Sequence, residues 1–183
     1  MKKSICALSL VAATVFVGAT NSEEYKNDFS TKKWGSWKSK TAKGKFLHNK
    51  TAGHKATGCL EIVSEKTNSK KNSFCFLRHF PAKPGKTYNA IVWIKVLKSN
   101  PDSKFSLAFQ GQDEKKHFLG LPVKSTNLKV ENASKDWKRL VLTFTIPSKE
   151  KWAKVNYLIC TIGMSNTNEG RVLFDDFRFF ESE

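Results

Sequence analysis

Between residues 44 and 180, hydrophobic positions recur in short alternating or continuous runs, and clusters of Lys, Asn, Ser, Gly and Pro separate one run from the next. The spacing predicts strands over 44–49, 59–64, 73–80, 87–96, 104–111, 138–147, 155–164 and 171–180. Val, Ile, Thr and aromatic residues dominate these runs, as half-buried pleated surfaces require. Turn chemistry falls between them, in Pro84-Gly85, Asn100-Pro101-Asp102, Pro147-Ser148 and Asn168-Glu169-Gly170. No window carries an apolar stripe of helical period over three turns. The expected fold class is all-β, an antiparallel two-sheet β-sandwich of the jelly-roll kind. An immunoglobulin-like sandwich is the alternative, and it usually needs fewer residues. Segments 97–104 and 111–136 carry no strand signal and are expected to be loops.

A period of two also sorts side chains by face. In 87–96, Tyr88, Ala90, Val92, Ile94 and Val96 share one face, while Asn89, Ile91, Trp93, Lys95 and Leu97 share the other. In 104–111, Phe105, Leu107 and Phe109 point inward, which leaves Ser106, Ala108 and Gln110 outside. Arg78 follows the parity of Phe74 and Phe76 at the end of its strand, and His79 takes the opposite parity. Cys59 and Cys75 both point away from their inward neighbours, on two strands close in sequence. They are the expected disulfide pair if the protein is exported, with Cys160 left over.

The first residues change the picture. Lys2 and Lys3 precede an apolar run from Ile5 to Val17 and the small-residue end Val17-Gly18-Ala19, the anatomy of a secretory signal peptide. The run is too short to span a bilayer comfortably. Cys6 lies inside it, so no lipid anchor is expected. The expected organisation is a signal peptide at 1–19 and one domain at 20–183, secreted or periplasmic, with no membrane span. The formal charge is +16, and losing residues 1–19 removes only Lys2 and Lys3 from it. Such a balance attracts polyanions and says nothing about fold.

Catalytic chemistry is thinly represented. Glycoside hydrolysis needs two carboxyl groups at a set separation, and the expected strands carry only Glu61, Asp175 and Asp176. A lyase would use a Tyr or His base with Arg, Gln or Asn beside it, yet His79, Arg78, Gln110 and His117 form no compact motif. A small jelly-roll lyase or glycoside hydrolase is the alternative to a non-catalytic protein. No zinc spacing or nucleic-acid motif is present, and no specific nucleic-acid partner is expected.

Several segments, in order, resemble a known family. Asn27-Asp28-Phe29-Ser30 followed by Trp34 and Trp37, then "TGCLEIV", "KPGKTYNAIVWIKV", "WKRLVLTFTIP" from Trp137 and the closing "GRVLFDDFRFF" are similar to carbohydrate-binding modules appended to cellulases and xylanases. The resemblance implies a galactose-binding-like jelly roll that is not catalytic. It would hold polysaccharide in a groove on the concave sheet and work beside a polysaccharide-degrading enzyme. By position in the family pattern, Trp137 would be a core residue at a strand entry, and Trp34 or Trp37 would pack on the opening strand. Trp152, in a Lys-rich turn, is either a rim contact or an anchor.

Pyranose rings pack on aromatic faces while amide and charged side chains bond their hydroxyls. Trp93, Asn89, Lys95, Gln110, His79 and Arg78 are therefore the expected carbohydrate-binding set, and its charges suit an acidic or sulfated glycan. The family often holds one structural calcium between its first and last strands. Asp176 and Asp175, with Asn27 and Asp28, are the expected ligands, although Ser30 stands where the family usually has Glu.

Overall fold

The computed structural model describes residues 24–30, 34–55, 58–69, 71–129 and 136–182. The expected signal peptide lies outside the described residues. Eleven strands run through them: β1 (Tyr25–Asn27), β2 (Gly35–Lys38), β3 (Gly44–Asn49), β4 (Cys59–Ser64), β5 (Asn72–Pro81), β6 (Thr87–Lys98), β7 (Lys104–Gln112), β8 (Phe118–Lys129), β9 (Lys138–Thr145), β10 (Tyr157–Thr167) and β11 (Gly170–Glu181). They form two antiparallel sheets. Sheet A has the order β3-β4-β11-β6-β9, with β1 paired to β11, and sheet B has the order β2-β5-β10-β7-β8. The architecture is the expected jelly-roll sandwich. A 3-10 turn, Glu150–Lys154, joins β9 to β10. No helix among the described residues is long and apolar enough to cross a membrane.

The inward parities are those of the sequence pattern. Tyr88, Ala90, Val92, Ile94 and Val96 of β6 face Phe105, Leu107 and Phe109 of β7 and Phe74 and Phe76 of β5 across a buried core. Much of that core is aromatic: Trp34 meets Phe177 edge-on at 4.9 Å, and Tyr88 stacks on Phe179 at 5.2 Å. Burying each such ring is worth roughly 1.5–3 kcal/mol. Trp34 is thus the tryptophan that packs by the opening strand, and Trp152 anchors its 3-10 turn against the core.

Three features depart from expectation. Residues 118–129 form a strand, β8, that Gly120 (φ 67°) and Pro122 hide from a periodicity search. Its pairing with β7 shifts register twice, as an interrupted pattern would. Second, a bulge at Asp175-Asp176 divides β11, with Asp176 at φ 46°. Residues 170–174 pair with β4 and 177–179 with β1, and the inward parity moves from Val172 and Phe174 to Phe177 and Phe179. Third, Cys59 lies in sheet A and Cys75 in sheet B, each with outward parity, so the expected disulfide is corrected: Cys59, Cys75 and Cys160 are free thiols. Burial pushes the Cys59 thiol up to about 12 and that of Cys75 to about 11.

Candidate functional site: the outer faces of the two sheets

Cross-strand register brings side chains of one parity into rows. On the outer face of sheet A, Asp175 lies opposite Trp93 on β6, and Arg139 lies opposite Trp93 on β9. Leu47 and Val141 on this face are exposed, while its Trp93 part is covered. The segment after β3 folds over it and sets the His54 ring on Trp93, stacked at 4.0 Å with 18° between planes, and edge-on to Trp137 at 5.6 Å. The cover is pinned on its other side. The His54 backbone N–H donates to Asp175 Oδ2 at 2.6 Å, its Nδ1 lies 3.0 Å from Asp176 Oδ2, and Lys55 Nζ lies 3.5 Å from that same oxygen. Asp175 also accepts the Asp176 N–H at 2.7 Å, which holds the bulge. Its carboxyl lies above the usual range because burial outweighs the bonds donated by the His54 and Asp176 amides. Glu61, buried beneath the same face, accepts from Arg171 Nε at 2.5 Å and from Asn49 Nδ2 at 3.1 Å.

The sequence-derived binding set therefore splits. Trp93, Asn89 and Lys95 lie on the outer face of sheet A, where the imidazole occupies the Trp93 ring. The Asn89 amide donates to Ser182 Oγ and accepts from Thr143 Oγ1 at 2.7 Å, so both its ends are used within the fold. His79 and Gln110 lie on the outer face of sheet B, one on each side of Ile159. Arg78 joins neither face. Its guanidinium sits over the Tyr25 ring at 4.6 Å, in a cleft of about 740 Å³ at one end of the sandwich that Tyr88, Asn156 and Phe180 also line. Trp137 is half-buried on the outer side of sheet A against His54, and so is not the core residue expected of it.

Sheet B presents the open face. One row runs Trp37, Cys75, Gly163, Ser106, Asn127, and the next runs Gly35, Leu77, Thr161, Ala108. Beyond them come His79, Ile159, Gln110 and Pro122, then Tyr157 beside Gln112 and Phe118. Trp37 is 53% exposed and Phe118 61%. Gly163 is required where β10 closes on β5, since a Cβ there would come within 2.1 Å of the Phe74 carbonyl oxygen. The result is a low floor beside the Trp37 ring. At the far end, His79 Nδ1 is 2.7 Å from Gln112 Oε1, whose Nε2 donates to the Lys116 carbonyl at 2.8 Å. That brings Lys116 Nζ over the Tyr157 ring at 5.3 Å. None of the residues named in these rows is acidic. Asp113 belongs to the β7–β8 turn and accepts the amides of Lys115 and His117.

Sequence reasoning missed Trp37, Tyr157, Thr161, Ser106 and Asn127 as one surface. Ser106 had the right parity, but β2 is four exposed residues without alternation, and Asn127 lies on the interrupted strand.

The donors nominated for calcium do not converge. Asp175 and Asp176 accept from His54, Lys55 and backbone as described. Asn27 Oδ1 accepts the Phe29 N–H at 2.8 Å, and Asp28 Oδ1 accepts the Ser30 N–H at 3.0 Å. Among the described residues no group of three His, Cys, Asp or Glu side chains is disposed to hold a metal ion. The residues present do not fit the ion.

A family model described as "Carbohydrate binding domain" matches residues 24–160. The chain belongs to that family. The carbohydrate-binding domain matches no curated protein in sequence. Its fold is shared with solved modules at low identity. A CBM4 structure is 12% identical with a TM-score of 0.57, the match covering 81% of this chain and 86% of that one. The family 11 carbohydrate-binding module from Clostridium thermocellum, in complex with a β-1,3-1,4-mixed-linked tetrasaccharide, is 13% identical with a TM-score of 0.55, covering 85% and 94%. TmCBM61, in complex with β-1,4-galactotriose, is 15% identical with a TM-score of 0.53, covering 82% and 90%. At these identities the likeness establishes the fold of the domain and nothing finer.

Proposed function

We propose that this carbohydrate-binding domain holds a polysaccharide chain across the outer face of sheet B. The observation that carries the proposal is Trp37, a tryptophan exposed at the edge of a sheet face that the described residues leave uncovered. A flat ring in that position offers a pyranose a packing surface and loses little side-chain freedom on binding. Along the strands from Trp37, the hydroxyl of Thr161 and the amides of Gln110 and Asn127 supply donors and acceptors for sugar hydroxyls. Tyr157 lies six residues along β10 from Gly163, roughly 20 Å away at the rise of a strand. A path of that length takes several rings rather than one. The neighbours solved in complex with oligosaccharides, a mixed-linked tetrasaccharide in one and β-1,4-galactotriose in another, support a glycan as the ligand class.

The domain acts without catalysis in this account. Polysaccharide cleavage by paired carboxylates needs two of them facing the chain, and the rows of sheet B hold none. The signal-peptide anatomy of residues 1–19 supports export. There the domain would keep a polysaccharide-degrading enzyme near its substrate. The acidic or sulfated character first expected of the glycan is not carried by Lys95 or Arg78, neither of which lies on the outer face of sheet B.

Affinity electrophoresis through gels cast with neutral, carboxylated and sulfated polysaccharides tests the proposal. Retardation by at least one gel, weakened in Trp37→Ala, is the expected result. Unretarded migration in every gel contradicts it. Release of reducing or unsaturated ends from the same polysaccharides would replace it with an enzyme.

A further inference from the structure

The lysines of this chain are not evenly neutralised. At several places they are matched by acids: Lys26 with Glu24 at 2.6 Å, Lys86 with Glu181 at 2.7 Å, and Lys98 with Glu169 at 2.5 Å. One corner of the sandwich is different. Two crossovers between the sheets meet there: 39–43 joins the edge strands β2 and β3, and 65–71 joins β4 and β5, the strands beside them. They are tied together. The Ser39 N–H donates to the Ser73 carbonyl at 2.9 Å, and the Ser73 N–H returns to Ser39 Oγ at 3.1 Å. The Glu65 N–H donates to the Lys43 carbonyl at 3.0 Å, and Thr41 Oγ1 donates to Oδ1 of the buried Asn72 at 3.1 Å.

On this tied corner, Lys38, Lys40, Lys43, Lys45, Lys66 and Lys71 are all exposed. None of the six has an ion-pair partner among the described residues. Glu65 is the one acid in the described parts of the two crossovers. Six like charges, four on the hydrogen-bonded crossovers and Lys38 and Lys45 on the adjoining ends of β2 and β3, repel one another and make a local positive field, which attracts anions. The corner also adjoins the open face. Lys38 follows Trp37 directly, and Ser73 continues the outward parity of Cys75 toward Lys71.

We infer that this lysine corner extends the sheet B groove into an anion-reading subsite, so that the bound chain is a glycan bearing carboxylate or sulfate groups. The inference rests on the groove reading and adds the substrate class. A chain lying along sheet B and over Trp37 runs out onto the corner, where lysine ammonium groups meet anionic substituents as point charges. Among the described residues nothing like a base-stacking platform faces the corner beyond Trp37 itself, which favours a charged sugar chain over a single-stranded nucleic acid.

The test compares the wild-type domain with Trp37→Ala and with the quadruple variant K40Q/K43Q/K66Q/K71Q. The probes are polygalacturonate, a sulfated galactan, an unsubstituted galactan and single-stranded DNA, each at low and high salt. All four substitutions are at exposed positions, and thermal unfolding checks that the variants remain folded. The expected result is that the wild type prefers one or both acidic chains to the neutral one. The quadruple variant then loses about tenfold on the acidic chain at low salt, and the loss shrinks at high salt as the charges are screened. It keeps wild-type behaviour on the neutral chain. Wild-type retention of the acidic chain by the quadruple variant overturns the inference, as does a wild type that ignores charge. Loss in the quadruple variant with no effect of Trp37→Ala on the acidic chain also overturns it, because the corner then acts alone. DNA bound as tightly as the acidic glycan overturns the glycan assignment. Trp37→Ala without effect on the neutral chain is the separate failure of the groove reading.

Discussion

The two outer faces of this sandwich carry similar raw materials and use them differently. Sheet A offers Trp93, Asn89 and Lys95, a set that suits a sugar-binding strand. Sheet B offers Trp37, Thr161, Gln110 and Asn127, spread over four strands. The difference is made by residues remote from both sets. The segment after β3 lays His54 on Trp93 and fastens it to the carboxylates of the β11 bulge. Nothing comparable covers Trp37 among the described residues. An aromatic side chain on a strand becomes a platform only where no part of the chain reaches it first.

That comparison can be broken most forcefully through the tryptophans. Trp93→Ala removes a half-buried ring held between sheet and imidazole. It is expected to lower stability by about 3 kcal/mol in chemical denaturation while leaving glycan affinity of the folded protein unchanged. Trp37→Ala has the converse signature: an affinity loss of about 2 kcal/mol, roughly thirtyfold, by calorimetry. Its stability should move by no more than about 0.5 kcal/mol, as at other exposed positions. A swap of these two signatures would reverse the assignment of the faces.

These expectations also mark what a sequence can carry. Strand β6 is legible because its parity is local: each residue's face follows from its neighbour's. Whether the outward parity of β6 is open or covered is not local, since it depends on His54 finding two carboxylates more than a hundred positions away. The bulge at Asp175-Asp176 is similarly hidden, because adjacent aspartates in a regular strand would point to opposite faces. Trp37 was obscured for another reason. Its strand is short, at an edge and exposed throughout, so no inward residue announces it. Strand β8 was lost to Gly120 and Pro122. The lysine corner needed the third dimension, since its two crossovers are separated in sequence by β3 and β4.

Smaller effects sharpen the picture of the covered face. His54→Ala removes the strap's ring and its charged hydrogen bond, and is expected to destabilise the fold by about 1–3 kcal/mol without improving binding at Trp93. The buried Asp175 gives a pH signature. Its folded pKa is raised, so the native state holds this proton more tightly than the unfolded chain does. Its contribution to stability therefore falls as pH rises from about 4, the unfolded value, through the folded one. Asp175→Asn should abolish that component, so the melting temperature of the wild type relative to the variant should decline across that window. The smallest expected effect is that of chelation. Because the oxygens of Asp175, Asp176, Asn27 and Asp28 serve donors within the chain, excess EDTA should leave the melting temperature unchanged to within about 1 °C. A bound ion would shift it with calcium concentration.

The division of the faces is tested most directly by following the indole N–H resonances during titration with a retained oligosaccharide. Trp37 is expected to move and saturate with ligand, while Trp93 and Trp137, beneath and beside His54, stay in place. Saturable movement of Trp93 and Trp137 with a stationary Trp37 would contradict that division.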